Sequence, residues 1–311
     1  MPNEILALAG GVGGAKLAWG LAQVLPPEQL LVVVNTGDDE EFHGLHVSPD
    51  LDTVMYTLAG IVNPAMGWGL ADDTFTVLRS LEKYGVPIWF NLGDKDLATH
   101  LRRSELMRHG ASLSQATEEL CAALGVKHRV APMSDESVRT TLLTDQGVLK
   151  FQEYFVKHRC EPRVRDITYE GADWSSPSPA FADALETARA IVFCPSNPFL
   201  SLQPILELLG VRKRIEAFSG PRIAVSPIVG GEAVKGPAAK LFRELGEEPS
   251  ALAVARRLKG ICTTFVLDTV DRALAPQVEA LGMRAVVADT IMTAPEDKVR
   301  LARLVVDLAS R

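Results

Sequence analysis

Short apolar runs alternate with segments of helical periodicity along most of the 311-residue chain. An apolar run bounded by turn residues is typical of a buried strand, and apolar residues three or four positions apart are typical of an amphipathic helix. The predicted strands are Ile5–Ala9, Leu30–Asn35, Ile88–Leu92, Ala190–Cys194, Arg222–Ser226, Thr263–Leu267 and Ala285–Ala288. The predicted helices are Ala15–Val24, Asp72–Tyr84, Lys95–Arg108, Ser114–Leu124, Ala180–Thr187, Pro237–Leu245, Ser250–Leu258 and Pro295–Leu308.

This alternation predicts an α/β fold with a Rossmann-like, doubly wound and mostly parallel sheet. One stretch departs from the pattern, because Arg139–Thr144 and Val148–Val156 flank the hairpin signal Asp-Gln-Gly. We therefore expect a smaller antiparallel or helical insertion over about residues 132–179, within a single domain of residues 1–311.

Composition and charge narrow the function classes. The chain is 47% hydrophobic with a net charge of −7 and no basic stripe, so a nucleic acid polymer is not an expected partner. No uncharged apolar stretch reaches the roughly 20 residues that a membrane helix needs. The four cysteines are scattered without a C-x-x-C pair, and the first residues lack the basic region of a secretory signal. We expect a cytoplasmic protein with free thiols.

A glycine cluster follows the first predicted strand and opens the first predicted helix. It consists of Gly10, Gly11, Gly13 and Gly14. A helix N-terminus offers unpaired N–H groups to a phosphate. The usual dinucleotide fingerprint needs glycine where Lys16 stands, and Ala15 and Leu17 break the Walker pattern. The loop therefore predicts either an anion cradle of another kind or a tight turn without a ligand.

Acidic residues follow the second strand and precede a helical run. The stretch Asn35–Asp39 ("NTGDD") lies on the ligand side of the sheet and could meet a ribose or a metal, or form an Asx turn. Asp50 and Asp52 precede the apolar run Val54–Leu58. In an extended segment, residues two apart can face the same way, so these carboxylates could hold Mg²⁺. They could equally belong to a helix cap, with Ser48 as cap residue.

Further polar loops stand at strand ends. Ser196 and Asn197 lie between two prolines, and a second glycine pair, Gly230 and Gly231, precedes Lys235 and a predicted helix. Two glycine-rich loops in one sheet favour a ligand with a diphosphate. A charged cluster could also face a phosphate or form a solvated helix face; it contains Lys95, His100, Arg102 and Arg103.

Taken in order, these segments resemble the CofD-like family, which contains 2-phospho-L-lactate transferase and its phosphoenolpyruvate counterpart in coenzyme F420 biosynthesis. The matching blocks include "GGVGGAKL", "NTGDD", "SPDLDTVMYTLAG", "WGLADDTF", "LGDKDLATHLRR", "PMSDESVRT", "FQEYFVKHRCEP", "CPSNPFLSLQPIL", "AVSPIVGGEAVKGPAAKL" and "ADTIMT". They run from residue 10 to about residue 293, so the resemblance covers nearly the whole chain.

The resemblance implies an activity. A family enzyme moves a phosphoenolpyruvyl or 2-phospholactyl group from a guanosine diphosphate-linked donor to the ribityl hydroxyl of the deazaflavin Fo, and GMP leaves. It implies Mg²⁺ as cofactor and a homodimer with a Rossmann-like core. Two alternatives stand beside it: a nucleotide-sugar-binding regulator of the related gluconeogenesis-factor family, and an NAD-dependent dehydrogenase, which Lys16 in place of the fingerprint glycine disfavours.

The resemblance also implies roles for residues. Asp52 would contact Fo or the metal and act in catalysis, with Asp50 beside it as a second metal ligand. Asn91 occupies a position that contacts Fo but is basic in archaeal members, so Asn91 is a departure. The remaining implied Fo contacts are Trp89 and Lys95. The implied nucleotide contacts are Gly10, Gly11, Gly13, Gly14, Lys16, Ser196, Asn197, Gly230, Gly231 and Lys235. Because Fo is flat and apolar, Met66, Trp68 and Trp89 are candidates for its pocket, although core packing is the commoner use of such side chains.

Overall fold

The computed structural model describes residues 4–310. Its strands are β1 (Ile5–Ala9), β2 (Leu30–Val34), β3 (Glu40–Phe42), β4 (Leu45–Val47), β5 (Arg129–Pro132), β6 (Arg139–Thr144), β7 (Gly147–Lys150), β8 (Val164–Glu170), β9 (Ala190–Phe193), β10 (Arg222–Val225), β11 (Ile228–Val229), β12 (Glu232–Ala233), β13 (Thr264–Asp268) and β14 (Arg284–Ala288). Its α-helices are α1 (Gly11–Val24), α2 (Pro49–Ala59), α3 (Thr76–Lys83), α4 (Asp96–Arg108), α5 (Leu113–Ala123), α6 (Pro179–Thr187), α7 (Gln203–Glu207), α8 (Val211–Ala217), α9 (Ala238–Glu244), α10 (Ala251–Arg257), α11 (Ala275–Glu279) and α12 (Pro295–Ala309).

Seven strands form one sheet in the order β14-β13-β10-β9-β1-β2-β5. Every neighbouring pair in it is parallel. The chain runs from β1 outwards through β2 to β5 and then returns to the other side of β1, where it continues through β9. The strand order therefore reverses between β1 and β9, and this is where ligands bind in doubly wound folds. The predicted α/β, doubly wound fold is confirmed.

The side chains of β1 point alternately to the two faces of the sheet, and each face is covered by helices. Leu6 and Leu8 belong to one buried cluster, and Ile5, Ala7 and Ala9 belong to another. Successive side chains of a strand point to opposite faces, so both faces of the sheet are covered. Helices α1, α2, α5 and α12 contribute to the second cluster, and α6 to α10 contribute to the first.

One strand prediction near the sheet edge was wrong, and one strand there was not predicted. Residues 88–92 form no strand; instead Trp89 and Phe90 pack against Phe42 of β3. The strand beside β2 is β5, which the sequence analysis missed because its short, partly charged segment carries little hydrophobic signal. Since β5 occupies that edge of the sheet, the 88–92 segment has no place beside β2.

The predicted antiparallel insertion is present as a three-stranded sheet in the order β7-β6-β8. The hairpin joins β6 to β7, with Thr144 paired to Gly147. The second strand ends at Lys150 rather than continuing to residue 156, because residues 153–157 form a single π-helical turn. No helix within residues 4–310 has the length and apolarity to cross a membrane. All four cysteines are free thiols.

Candidate active site

The loop after β1 and the loop after β9 meet at the switch point. Gly10 donates its backbone N–H to the Ser196 hydroxyl at 3.1 Å, and Ser196 is buried. The side chain of Asn197 accepts the N–H groups of Phe199 and Leu200 at 2.9 and 3.1 Å. Asn197 therefore shapes the second loop, while Ser196 joins it to the first.

The chain itself fills the space beside three of the loop glycines. A Cβ atom at Gly10 would lie 2.5 Å from a carboxylate oxygen of Asp50, and one at Gly14 would lie 2.6 Å from the Ser196 hydroxyl. A Cβ atom at Gly13 would clash with the carbonyl oxygen of Pro195. Because the clash at Gly13 is with backbone, close packing of the two loops requires glycine there whether or not a ligand is bound.

The first turn of α1 still presents donors. Gly11 begins α1 with a φ of +61°, and a Cβ atom there would lie 3.5 Å from a carboxylate oxygen of Asp50. Across residues 4–310, no oxygen outside α1 accepts the N–H groups of Val12 or Gly13. Helix N-termini leave such groups unpaired and carry a partial positive charge. An anionic group can therefore bind at this turn.

Carboxylates from the NTGDD loop and from α2 lie against the same turn. Asn35 donates its side-chain N–H to Asp38 at 3.1 Å and to Asp50 at 3.0 Å. The backbone N–H of Asp50 bonds to Asp38 at 3.2 Å, and the Ser201 hydroxyl donates to Asp50 at 3.2 Å. The sequence analysis missed Ser201, since nothing in its local sequence distinguishes it from a core serine.

Burial shapes the electrostatics of this acidic pair. Desolvation raises the pKa of Asp38 well above its ordinary value, and the neighbouring charge of Asp50 adds to the rise. Desolvation likewise raises the pKa of Asp50 to about 6, although hydrogen bonds from Asn35 and Gly11 oppose it. Two carboxylates in this setting resist ionising together, and a cation between them would relieve their repulsion.

The residues present fit a magnesium ion. The described part of the chain contains no group of three or more His, Cys, Asp or Glu side chains arranged around a metal position. However, Mg²⁺ is usually held by one or two carboxylates together with water and substrate phosphates. Asp38 and Asp50 supply that number, and two nearby oxygens, Thr36 Oγ1 and Asp39 Oδ1, are buried without a hydrogen-bond partner among the described residues.

Asp52 lies away from Asp38 and Asp50, against Arg103 of α4. Helix α2 begins at Pro49, so Asp50 and Asp52 are both in its first turn. Residues two apart on a helix do not share a face, and the expectation that the two carboxylates point the same way was wrong. Asp52 is buried and both of its oxygens accept from the guanidinium of Arg103.

The loop with Gly230 and Gly231 is a hairpin turn rather than a second strand-to-helix cradle. It joins β11 to β12, and both glycines have positive φ values. The N–H of Gly230 already bonds to the Asp271 carboxylate, at 3.1 Å from Oδ2. This N–H is therefore not available to a phosphate.

Two lysines bring positive charge to the first turn of α1. Lys16 donates to the carbonyl oxygen of Met292 at 2.8 Å, and Lys235 donates to that of Met66. Burial lowers the pKa of Lys235, and the charge of Lys16 lowers it further. Neither ammonium group has a carboxylate within 4.0 Å in the part of the chain described. Two like charges without a counter-ion favour binding of an anion.

The residues predicted to contact Fo form a separate group. Trp89 packs edge-on against Phe42, with ring centroids 5.3 Å apart, and Asn91 is exposed. Lys95 donates to the carbonyl oxygen of Ala71 at 3.0 Å, and its N–H bonds to Asp73. Trp89 also contacts Phe90 and Lys157, so these residues contact segments other than the glycine loop.

The basic cluster on α4 does not face a phosphate. Arg102 is exposed and pairs with Glu105 and Glu119. His100 and Arg103 are buried beneath α2, and Arg103 has no exposed surface. The sequence could not show that Arg102 is exposed and Arg103 is buried, because the contacts between α4 and α2 decide which side of α4 is buried.

The fold defines an α/β protein with a parallel sheet whose strand order reverses between β1 and β9, and polar loops gather at that point. The chain belongs to the CofD family of transferases: the family model described as "2-phospho-L-lactate transferase CofD" matches residues 5–304.

Relatives support that membership. The chain is 42% identical to a phosphoenolpyruvate transferase of Streptomyces griseus, over 98% of each protein. It is 39% identical to a 2-phospho-L-lactate transferase of Methanosarcina mazei, over 97% of this chain and 99% of the relative. Among solved structures, a member of the UPF0052 family from Bacillus halodurans has the same fold, with a TM-score of 0.63, 14% identity and 98% of this chain covered.

Proposed function

We propose that this protein acts in coenzyme F420 biosynthesis. It moves a phosphoenolpyruvyl or 2-phospholactyl group from a guanosine diphosphate-linked donor to the ribityl hydroxyl of Fo, with GMP as the leaving group. The names of the Streptomyces and Methanosarcina relatives support the two candidate three-carbon acids. The observation that carries the proposal is the first turn of α1, where the N–H groups of Val12 and Gly13 have no acceptor outside the helix, Asp50 lies beside Gly10, and Lys235 lies close to Lys16.

The donor's diphosphate would bind at that turn. The N–H groups of Val12 and Gly13 and the ammonium groups of Lys16 and Lys235 supply positive charge from two directions. Donors that are already fixed in place can stabilise charge that grows on phosphate oxygens without reorganising. Ser196 and Asn197 hold the adjoining loop in the shape that this arrangement needs.

Asp38 and Asp50 would hold Mg²⁺. When bound, the ion would polarise a diphosphate oxygen and neutralise charge on the leaving phosphate. An ionised Asp50 carboxylate beside Gly11 would repel an incoming diphosphate, and a cation between the carboxylates would remove that repulsion.

Positioning and charge neutralisation matter more than base catalysis in phosphoryl transfer. We therefore assign Asp50 to the metal and to charge balance. Asp52 is better suited to a supporting role, because Arg103 holds both of its carboxylate oxygens.

The deazaflavin ring would lie beside the 62–68 segment. Met66 and Trp68 are exposed, at 45% and 39%, and the carbonyl oxygen of Met66 contacts Lys235. These side chains offer an apolar surface next to the diphosphate position, whereas Trp89 already packs against Phe42 and Phe90. We also propose a cytoplasmic homodimer, which would cover exposed apolar residues of α3 such as Val77.

The test is mass spectrometry of the product after the protein is incubated with Fo, Mg²⁺ and each donor, generated in situ from GTP. We expect a phosphodiester of Fo with one of the three-carbon acids, together with GMP. No product with any donor, combined with binding of UDP-sugars in place of GDP, would instead favour the regulator alternative.

A further inference from the structure

A polar seam joins α2 to α4. We use this term for Asp52 and Tyr56, one turn apart on α2, together with Asp96, His100 and Arg103 along one face of α4. Arg103 donates to Asp52, and the Tyr56 hydroxyl donates to Asp96 at 2.6 Å. His100 lies between these links, with Nδ1 3.6 Å from Asp52 and Nε2 3.3 Å from Asp96. Each helix contributes residues at helical spacing, so the seam fixes the rotation of α2 about its axis.

The seam is electrostatically costly. Arg103 is fully buried, and Asp52 is nearly so. The Nε atom of Arg103 has no acceptor among the described residues. Desolvating two charges can cancel the gain from their attraction, so such a pair is weak evidence for a role in stability alone. Loss of one partner, by contrast, leaves a buried charge without compensation.

The seam also lies directly behind the proposed metal ligand. Asp52 is two residues after Asp50 in the same helical turn, and its N–H bonds to the carbonyl oxygen of Ser48 at 2.9 Å. The Ser48 hydroxyl in turn donates to Asp39, the residue after Asp38. A small rotation of α2 would therefore move Asp50 relative to Gly10, where a Cβ atom would lie only 2.5 Å from the carboxylate.

We propose that Arg103, acting through Asp52, is a positioning residue that orients α2 so that Asp50 faces the glycine loop. This inference rests on the proposed function and assigns Asp52 to orientation instead of contact with the reacting groups. It distinguishes the two aspartates of the "PDLDT" segment by the helix face on which each lies.

The test is a double-mutant cycle with Asp52→Asn, Arg103→Met and the combined variant. Arg102→Met is the matched control, since it makes the same change at the neighbouring exposed arginine of α4. Three quantities are measured: kcat and KM for the donor, the Kd of GDP with Mg²⁺ by calorimetry, and the thermal melting curve. The wild-type protein in the same assays tests the proposed function independently.

We expect each single variant to lose at least tenfold in kcat and to bind GDP with Mg²⁺ more weakly, because one buried charge is left unpaired. We expect the combined variant to be more active than either single variant, and Arg102→Met to match the wild type. Arg103→Lys, which keeps the charge but loses the fork geometry, should fall between Arg103→Met and the wild type.

Two results would overturn the inference. A combined variant as inactive as Asp52→Asn alone would mean that Asp52 acts directly on substrate or metal. Unchanged GDP affinity and kcat in Arg103→Met would mean that the seam orients nothing. If Arg103→Met does not fold, Arg103→Lys decides by the same two measurements. If the wild-type protein makes no product, but GDP affinity falls in the single variants and recovers in the combined variant, the result counts against the proposed function only.

Discussion

Gly13 at the start of α1 passes so close to the carbonyl oxygen of Pro195 that a methyl group between them would approach that oxygen to less than 3.0 Å. Gly13 follows β1 and Pro195 follows β9, the two adjacent strands between which the strand order reverses. The contact brings two loops together at the switch point, where doubly wound folds bind their ligands. Gly13 is therefore required by packing, whatever the adjoining N–H donors bind.

Gly13→Ala should destabilise the protein, because the new methyl group meets backbone rather than a flexible side chain. We expect a loss of about 1–3 kcal/mol in the free energy of unfolding, as is usual for overpacking. Urea denaturation measures it. Gly60→Ala is the comparison: Gly60 has a φ of +73° and open space, so only the left-handed backbone is penalised, by about 1 kcal/mol. Equal stability of Gly13→Ala and wild type would contradict the packing argument.

Asp50→Asn should change stability in a pH-dependent way in metal-free protein. The pKa of Asp50 is raised to about 6 in the folded state, above its ordinary 3.8. Folded protein therefore holds a proton that the unfolded chain releases over this interval, and the free energy of unfolding falls as the pH rises through it. Asparagine cannot ionise and avoids this loss.

We expect Asp50→Asn to gain stability relative to wild type between pH 4 and pH 8, by an amount of order 1–3 kcal/mol. Urea unfolding with a chelator at both pH values measures it, and exposed Asp173→Asn serves as control. A difference between variant and wild type that is the same at pH 4 and pH 8 would show that the Asp50 carboxyl is not perturbed by burial.

Lys16→Met should weaken binding of GDP. A hydrogen bond to a charged group contributes about 1.5–3 kcal/mol, so we expect at least a roughly tenfold higher Kd. Isothermal titration calorimetry gives the affinity, and the loss should shrink as salt screens the charge. Lys213→Met, on the exposed surface of α8, is the matched control. If both variants bind GDP as tightly as wild type, the diphosphate lies away from α1.

Asp94→Ala should loosen α3 and the segment before it. Asp94 accepts the N–H groups of Thr76 and Val77 at 2.9 and 3.0 Å and the Thr74 hydroxyl, and these bonds lower its pKa to about 2. Because the folded pKa is below the unfolded value, this stabilisation is present above pH 4 and is lost as the pH falls towards 2.

Hydrogen exchange should therefore accelerate across residues 74–83 in Asp94→Ala at neutral pH, while the central sheet stays protected. Glu82→Gln, an exposed change on the same helix, should leave the exchange rates as they are. Acceleration spread evenly over the whole chain would indicate global destabilisation and not a lost helix cap.

The sequence predicted six of the seven strands of the main sheet and most long helices. A continuous apolar run such as Leu30–Val34 is typical of a strand buried on both faces of a parallel sheet. The segment at residues 88–92 has a similar apolar character, yet it packs on Phe42, since the edge beside β2 is filled by β5. Local pattern cannot decide such competition between distant segments.

The sequence by itself determined the class of fold, the position of the glycine loop after β1 and the set of polar segments at strand ends, because these follow from periodicity and from the chemistry of glycine, aspartate and lysine. Only the tertiary structure decided what each polar residue faces. The helical turn at Pro49 turned Asp50 towards Gly10 and Asp52 towards Arg103, and the hairpin at Gly230 gave its N–H to Asp271. Such choices depend on contacts between residues far apart in the chain, and no local pattern of residues encodes them.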